Sequence, residues 1–140
     1  MKVWVIHAFI AMTFAGITTV IAKQGLAGIS AELGIGVRTL FVTLFVMLFV
    51  AFSVPMEEVK SIRRDSLLWL VASAFTTAVS WIYYYKALKE GDVATVALID
   101  KGSTVVAILL AWWLLKEVLT LRIAIGAALI ILGLWVVSRK

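Results

Sequence analysis

Three charged residues interrupt apolar stretches of the sequence: Arg38 lies in one stretch, and Asp100 and Lys101 adjoin each other in another. A charge inside a membrane-spanning helix costs about 2.5–3.5 kcal/mol on insertion scales, so it needs a partner or a function. At about 1.5 Å per helical residue, Arg38 and Asp100 both lie roughly 10–12 Å from the same end of their predicted helices, and they can pair if those helices are neighbours. Two interpretations stay open: an ion pair that only locks two helices, and part of a substrate pathway.

A stripe of hydroxyl groups follows one face of the predicted helix between these two stretches. Its members are spaced by four, three and four residues: Ser73, Thr77, Ser80 and Tyr84. Residues at this spacing share a helical face. Trp81 lies beside the stripe, and Thr104 lies one turn beyond Asp100. These groups can line a wet cavity in which Trp81 stacks on a ligand. Alternatively, the hydroxyls bond to the backbone or across helices, and Trp81 only packs.

The sign of the embedded charge indicates a class of solute. Arg38, Asp100 and Lys101 together carry one net positive charge, and Lys23 lies nearby with Glu32 as a possible counter-charge. A positive cavity favours an anionic or zwitterionic solute over a lipophilic cation.

The sequence offers few residues of the types that catalytic or metal sites use. Asp100 is the one carboxylate deep inside an apolar stretch, so it is the candidate for proton coupling, which requires it to change partner during the cycle. The chain has no cysteine, and its one histidine, His7, stands without a second. We therefore expect no metal site, no cofactor and no catalytic residues.

The elements that must position these groups are predicted membrane spans. The 140 residues are 64% apolar and 15% charged, with a mean hydropathy of +1.10. Soluble domains are about 45–50% apolar and about 25% charged, so a soluble enzyme or a nucleic-acid-binding module is excluded. The pattern predicts an all-α integral membrane protein, a single domain over 1–140, with five spans at about 3–22, 31–54, 66–88, 93–115 and 121–138.

Local signals mark the ends of these spans. Ser30, Asp92 and Thr120 are predicted N-caps, and Pro55 ends the second span. The most polar stretch, 56–65, is predicted to be a solvated connection. Tryptophans and tyrosines lie mostly near span ends, as interfacial aromatic residues do.

Basic residues divide evenly between the two predicted sides of the membrane. Of the 13 lysines and arginines, Lys101 falls within a span and the other twelve divide six and six; counting Arg38 within the membrane leaves six against five, still nearly even. An excess of basic residues normally sets orientation. Without one, we expect copies to insert both ways and pair as an antiparallel homodimer; alternatively, a small bias or the insertion machinery selects one orientation.

The order of several short motifs resembles the EamA-type drug/metabolite transporter superfamily, in its short single-domain branch. The matching stretches cover nearly the whole chain: Phe14-Ala15-Gly16, Ala22-Lys23, Arg38-Thr39, Ser80-Trp81, Tyr84, Lys86-Ala87-Leu88, Gly91-Asp92, Ile99-Asp100-Lys101 and Leu119-Thr120. Relatives often have proline just before the Ile-Asp-Lys run, where this chain has Leu98, which puts a kink there in doubt.

The resemblance implies a half-size transporter. Longer relatives carry two inverted five-helix halves, so this chain would complete a ten-helix transporter with a second, inverted copy. It implies alternating-access transport of small metabolites or drugs, with membrane lipid as surroundings, in a prokaryotic inner membrane. Gly126 and Gly133, seven residues apart on one face, resemble the dimer-forming helix of the related small multidrug resistance exporters. Two other hypotheses stay open: a membrane scaffold that transports nothing, and a flippase for lipids or lipid carriers.

Overall fold

The computed structural model describes residues 2–139, which fold into seven α-helices and no β-strand. The helices are α1 Val3–Gly25, α2 Ala31–Ser53, α3 Met56–Lys60, α4 Arg64–Glu90, α5 Val93–Asp100, α6 Gly102–Leu114 and α7 Leu121–Ser138. Taking α5 and α6 together, five segments are long and apolar enough to cross a bilayer. The predicted all-helical, five-span fold class is thereby confirmed.

The three predicted N-caps form the expected hydrogen bonds at the first turns of their spans. The Ser30 hydroxyl accepts the Leu33 N–H at 3.2 Å, and the Asp92 carboxylate accepts the Thr95 N–H at 2.9 Å. The Thr120 hydroxyl accepts a longer bond, of 3.4 Å, from the third residue of α7. Such side chains satisfy backbone donors that a helix leaves without partners in its first turn.

The polar connection between the second and third spans is partly helical. We expected a solvated connection over 56–65, but its first five residues form α3. Glu57 and Glu58 lie in the first turn of α3, and Lys60 lies in the last. Acidic side chains at the N-terminus and a basic one at the C-terminus are opposite in sign to the partial charges of the helix ends, and this stabilises the short helix.

The fourth span is interrupted at Lys101, although proline is absent from the preceding turn. The Lys101 N–H bonds to the carbonyl of Leu98 at 3.1 Å, and the Thr104 N–H bonds to the carbonyl of Lys101 at 3.1 Å. Bonds across three residues form a tighter turn than the α-helix. A tight turn therefore divides the span into α5 and α6, and Gly102 begins α6 directly after it.

Contacts divide the chain into two units. One unit is Lys23–Glu90, in which α2 packs against α4. The other comprises the segments before and after it, and there α7 packs against α5 and α6. At Gly102 a Cβ would lie 3.1 Å from Leu134 Cδ1, so glycine permits this close approach to α7.

Candidate substrate pathway

A groove of about 840 Å³ runs between α2 and α4 in the unit Lys23–Glu90. Its lining is mostly aliphatic, with five polar side chains and one tryptophan: Glu32, Thr39, Thr43, Ser73, Thr77 and Trp81. Ligand sites combine an apolar lining with a few polar groups in this way.

Arg38 lies on the aromatic rings of α4. Its guanidinium carbon is 4.5 Å from the centre of the Trp81 ring and 5.9 Å from that of Tyr85. Trp81 also lines the groove. An aromatic face attracts a cation by about 0.5–2 kcal/mol while leaving the edge N–H groups of the guanidinium able to donate. Trp81 thus connects the groove to a positively charged donor.

An ion pair joins α2 to α4 at one end of the groove. The Lys86 ammonium lies 3.2 Å from the Glu32 carboxylate, and both side chains are about half exposed. We had considered Glu32 as the counter-charge of Lys23. In the structure Glu32 pairs with Lys86, and Lys23 makes other bonds.

Lys23 bonds to the last carbonyls of α4. Its ammonium donates to Leu88 O at 2.6 Å and to Lys89 O at 3.2 Å. In return, the Lys89 ammonium donates to Leu26 O at 2.8 Å. The Leu88 and Lys89 carbonyls lie in the last turn of α4, where carbonyls lack intrahelical partners and the helix dipole favours a cation.

The buried side chains collect at the same end of this unit. Among the described residues, the buried hydrophobic ones are Leu26, Ala31, Tyr85 and Leu88, and Leu88 has no exposed surface. A Cβ on Gly34 would collide with Leu26 Cδ2, so the Leu26 side chain fits only because residue 34 is glycine.

The predicted hydroxyl stripe divides between groove and non-groove positions. Ser73 and Thr77 line the groove, whereas Ser80 and Tyr84 are not among its lining residues. The Thr77 hydroxyl donates to the Ser73 carbonyl at 2.8 Å. This bond is the local backbone use of threonine that we considered as one alternative, and it leaves the oxygen lone pairs able to accept.

Asp100, Lys101 and Thr104 belong to the other unit. The Lys101 ammonium lies 3.6 Å from the Asp100 carboxylate, so each embedded charge has its neighbour in sequence as a partner. Thr104 lies in the first turn of α6 and is exposed. Direct pairing of Arg38 with Asp100 stays a prediction, since the structure gives each a partner within its own unit.

Gly126 and Gly133 face open space. A Cβ added at either residue would meet no heavy atom within 4 Å. This face of α7 is therefore open to close approach by another helix.

Three contributors to this region were missed from the sequence. Tyr85 is one of the tyrosines near a span end, where an interfacial position is expected, but it is 4% exposed and lies beside Arg38. Thr39 and Thr43 look unremarkable in an apolar run. Their spacing of four residues, together with Glu32 and Gly36 on the same face of α2, was the available signal.

Comparison with known proteins agrees with this architecture. The EamA-like transporter family matches residues 2–139. A protein of Sinorhizobium sp., named an uncharacterized transporter in the cobO 3′ region, is 33% identical over 130 residues, which cover 93% of this chain and 92% of that protein. No solved structure matches the chain significantly.

Proposed function

The chain belongs to the EamA-like transporter family, and from this premise we propose that it is a secondary transporter of small anionic or zwitterionic metabolites, amino-acid-like solutes among them. Five apolar spans make it an integral membrane protein, and membership of the family makes it a membrane transporter in general terms. The solute class, alternating access, the antiparallel homodimer and a prokaryotic inner membrane are the proposal.

The environment of Arg38 is the observation that carries the proposed solute class. Three ion pairs of the described residues are Arg63–Asp65, Lys86–Glu32 and Lys101–Asp100, whereas the contacts that Arg38 makes are with aromatic rings. By the rise of a helix, Arg38 lies about 10 Å inside α2. A guanidinium at that depth, supported by aromatic rings and not by a carboxylate, favours binding a solute that brings its own negative charge.

The α2–α4 groove supplies room beside this cation. Its hydroxyls can bind polar parts of a solute, and its aliphatic walls can hold an apolar part. The residues that the sequence assigns to the pathway remain part of the proposal: Lys23, Arg38, Thr77, Ser80, Trp81 and Tyr84 in one unit, and Asp100, Lys101 and Thr104 in the other.

An antiparallel homodimer would complete the transporter. The even division of basic residues favours insertion in both orientations. The open face at Gly126 and Gly133 supports contact through α7. Two inverted copies would reproduce the symmetry that many transporters have within one chain, in which solute sites lie near the bilayer midplane between the repeats.

Uptake by reconstituted protein tests this function. We would measure accumulation of labelled amino acids, carboxylates and lipophilic amines in proteoliposomes for wild type, Arg38→Gln and Arg38→Lys. Arg122→Gln, which removes an arginine from the first turn of α7, is the matched control. We expect uptake of carboxylate-bearing solutes, reduced about tenfold or more by Arg38→Gln and unchanged by Arg122→Gln. Selective uptake of the amines would contradict the solute class, and absence of any flux would favour a scaffold.

The mostly aliphatic lining of the groove also favours one second candidate, a lipid flippase. Its lining residues suit a hydrocarbon chain as well as the apolar part of a solute. Accelerated transfer of a fluorescent phospholipid between leaflets in the same vesicles, without solute uptake, would select that function.

A further inference from the structure

We infer that Lys23, Lys86 and Lys89 form a latch that closes one end of the α2–α4 groove and opens during the transport cycle. The inference rests on the proposed function. It concerns the end of the unit Lys23–Glu90 at which α2 begins and α4 ends.

Three lysines make the contacts that define the latch. Lys23 reaches the Leu88 and Lys89 carbonyls, and Lys89 reaches the Leu26 carbonyl in the opposite direction. Lys86 bridges from α4 to Glu32 in the first turn of α2. The last turn of α4 is thereby tied both to the loop after α1 and to α2.

A cluster of buried side chains, which we call the seal, lies next to these contacts and consists of Leu26, Tyr85 and Leu88. Leu26 and Leu88 are 2% and 0% exposed, and Tyr85 is 4% exposed. On α4 the groove lining stops at Trp81 and Ile82, one turn before Tyr85, and on α2 it extends to Glu32, the carboxylate that Lys86 binds. A solute that leaves the groove at this end would pass the Lys86–Glu32 pair and the buried residues beside it.

The latch is built from contacts that can be exchanged. Its hydrogen bonds join ammonium groups to backbone carbonyls, and water can replace either partner at the membrane surface. Its ion pair is about half exposed, and such pairs contribute little to stability. The loop that carries Leu26 contains Gly28 at a φ of +77°, a conformation that glycine adopts without strain.

In an antiparallel pair, the two latches would face opposite sides of the membrane. Each copy would then control one entrance, and opening one latch at a time would give access to alternate sides. The same three lysines, one set in each copy, would thus close the two opposite sides of the membrane.

A labelling experiment tests the latch without a known solute. The chain contains no cysteine, so Thr39→Cys places a single thiol on the groove wall. In lipid nanodiscs we would measure its rate of reaction with an uncharged 2-hydroxyethyl methanethiosulfonate reagent, so that the loss of lysine charge does not itself attract or repel the probe. The backgrounds are wild type, Lys23→Met/Lys89→Met and Lys23→Arg/Lys89→Arg.

We expect the methionine pair to raise the labelling rate about fivefold or more, since each lost hydrogen bond shifts an opening equilibrium by about that factor. The arginine pair, which can still donate to the carbonyls, should label at nearly the wild-type rate. Lys60→Met, in α3, is the matched control and should change nothing. A thiol introduced as Glu57→Cys in the exposed helix α3 should react at the same rate in every background, which controls for reagent activity, and a single symmetric peak in size-exclusion chromatography reports that each variant remains folded.

Equal labelling rates for wild type and a folded methionine pair would overturn the inference, as would an arginine pair that reacts as fast as the methionine pair. If the methionine pair does not fold, the single variants Lys23→Met and Lys89→Met decide by the same criterion. The labelling result and the transport result can be told apart. Faster labelling of the methionine pair without uptake of any solute would support closure of the groove by the lysines and contradict the proposed transport. Solute uptake with equal labelling rates would support transport and contradict the latch.

Discussion

Arg38 is positioned by stacking. The Trp81 ring lies 4.5 Å from its guanidinium carbon, and Tyr85, buried beside it, limits where the side chain can go. An arginine held this way keeps its charge and its directional N–H donors, which a lysine ammonium at the same position could not reproduce.

A double-mutant cycle tests this placement. Arg38→Gln and Trp81→Leu each remove one side of the contact, so the double variant should be less impaired than the sum of the single variants. We expect a coupling of about 0.5–1 kcal/mol in apparent solute affinity. Arg38→Gln combined with Lys60→Met in α3 is the control cycle and should be additive. Additivity at Trp81 would mean that stacking does not position Arg38.

Gly34 admits the buried side chain of Leu26. A Cβ at residue 34 would collide with Leu26 Cδ2, whereas a Cβ at Gly36 would meet nothing within 4 Å. We therefore expect Gly34→Val to lower the free energy of unfolding by about 1–3 kcal/mol, and Gly36→Val to have a much smaller effect. Thermal unfolding in detergent would measure both, and equal losses would refute the packing argument.

At the scale of residues, the sequence predicts those features that depend on nearby residues and not those that depend on which helices pack together. Charge, depth and helical face identified Arg38 and Asp100 as embedded groups, because hydropathy depends only on nearby residues. The partner of Glu32 was not predictable in the same way: choosing Lys86 over Lys23 requires knowing which helix end lies opposite the first turn of α2.

At the scale of helices, the starts and stops follow from local chemistry. Ser30, Asp92 and Thr120 cap their helices as expected because an N-cap needs only a side chain next to its own backbone. The interruption at Lys101 did not follow in that way. No proline marks the interruption in the sequence, and the first residue of α6, Gly102, lies against Leu134 of α7.

A substitution at Gly102 tests the close packing of α6 against α7, just after the interruption at Lys101. Gly102→Val would place a branched side chain where a single Cβ already lies 3.1 Å from Leu134 Cδ1. We expect a loss of about 1–3 kcal/mol in stability. Gly16→Val in α1, where a Cβ would have open space, is the matched control. The smaller side chain of Leu134→Ala should partly rescue Gly102→Val, and failure of that rescue would place the cause elsewhere.

At the scale of the whole molecule, the distribution of charge leads to a prediction about insertion. With six basic residues on each side, C-terminal tags should be found on both faces of the membrane. Two or three lysines added within 56–65 should drive that side to the cytoplasm. Protease protection of the tag measures the ratio, and a wild-type tag on one face only would rule out dual topology.

Association through α7 gives a second prediction at this scale. Gly126→Leu and Gly133→Leu should weaken dimerisation, because leucine would prevent close helix approach. Gly16→Leu on α1, which also faces open space, should leave the dimer intact. Cross-linking yield in membranes compares the three, and a full yield with both α7 glycines replaced would exclude this contact.

The spans differ in length, and the difference matters for the surrounding lipid. At 1.5 Å per residue, the 18 residues of α7 extend about 27 Å and the 27 residues of α4 about 40 Å. A hydrocarbon layer about 30 Å thick cannot match both, so a long helix must tilt or protrude while the lipid thins around a short one. If α7 is where copies meet, hydrophobic mismatch at its surface is relieved by pairing. Acyl-chain length then becomes a determinant of assembly: thicker bilayers should drive the copies together, and thinner ones should let them separate.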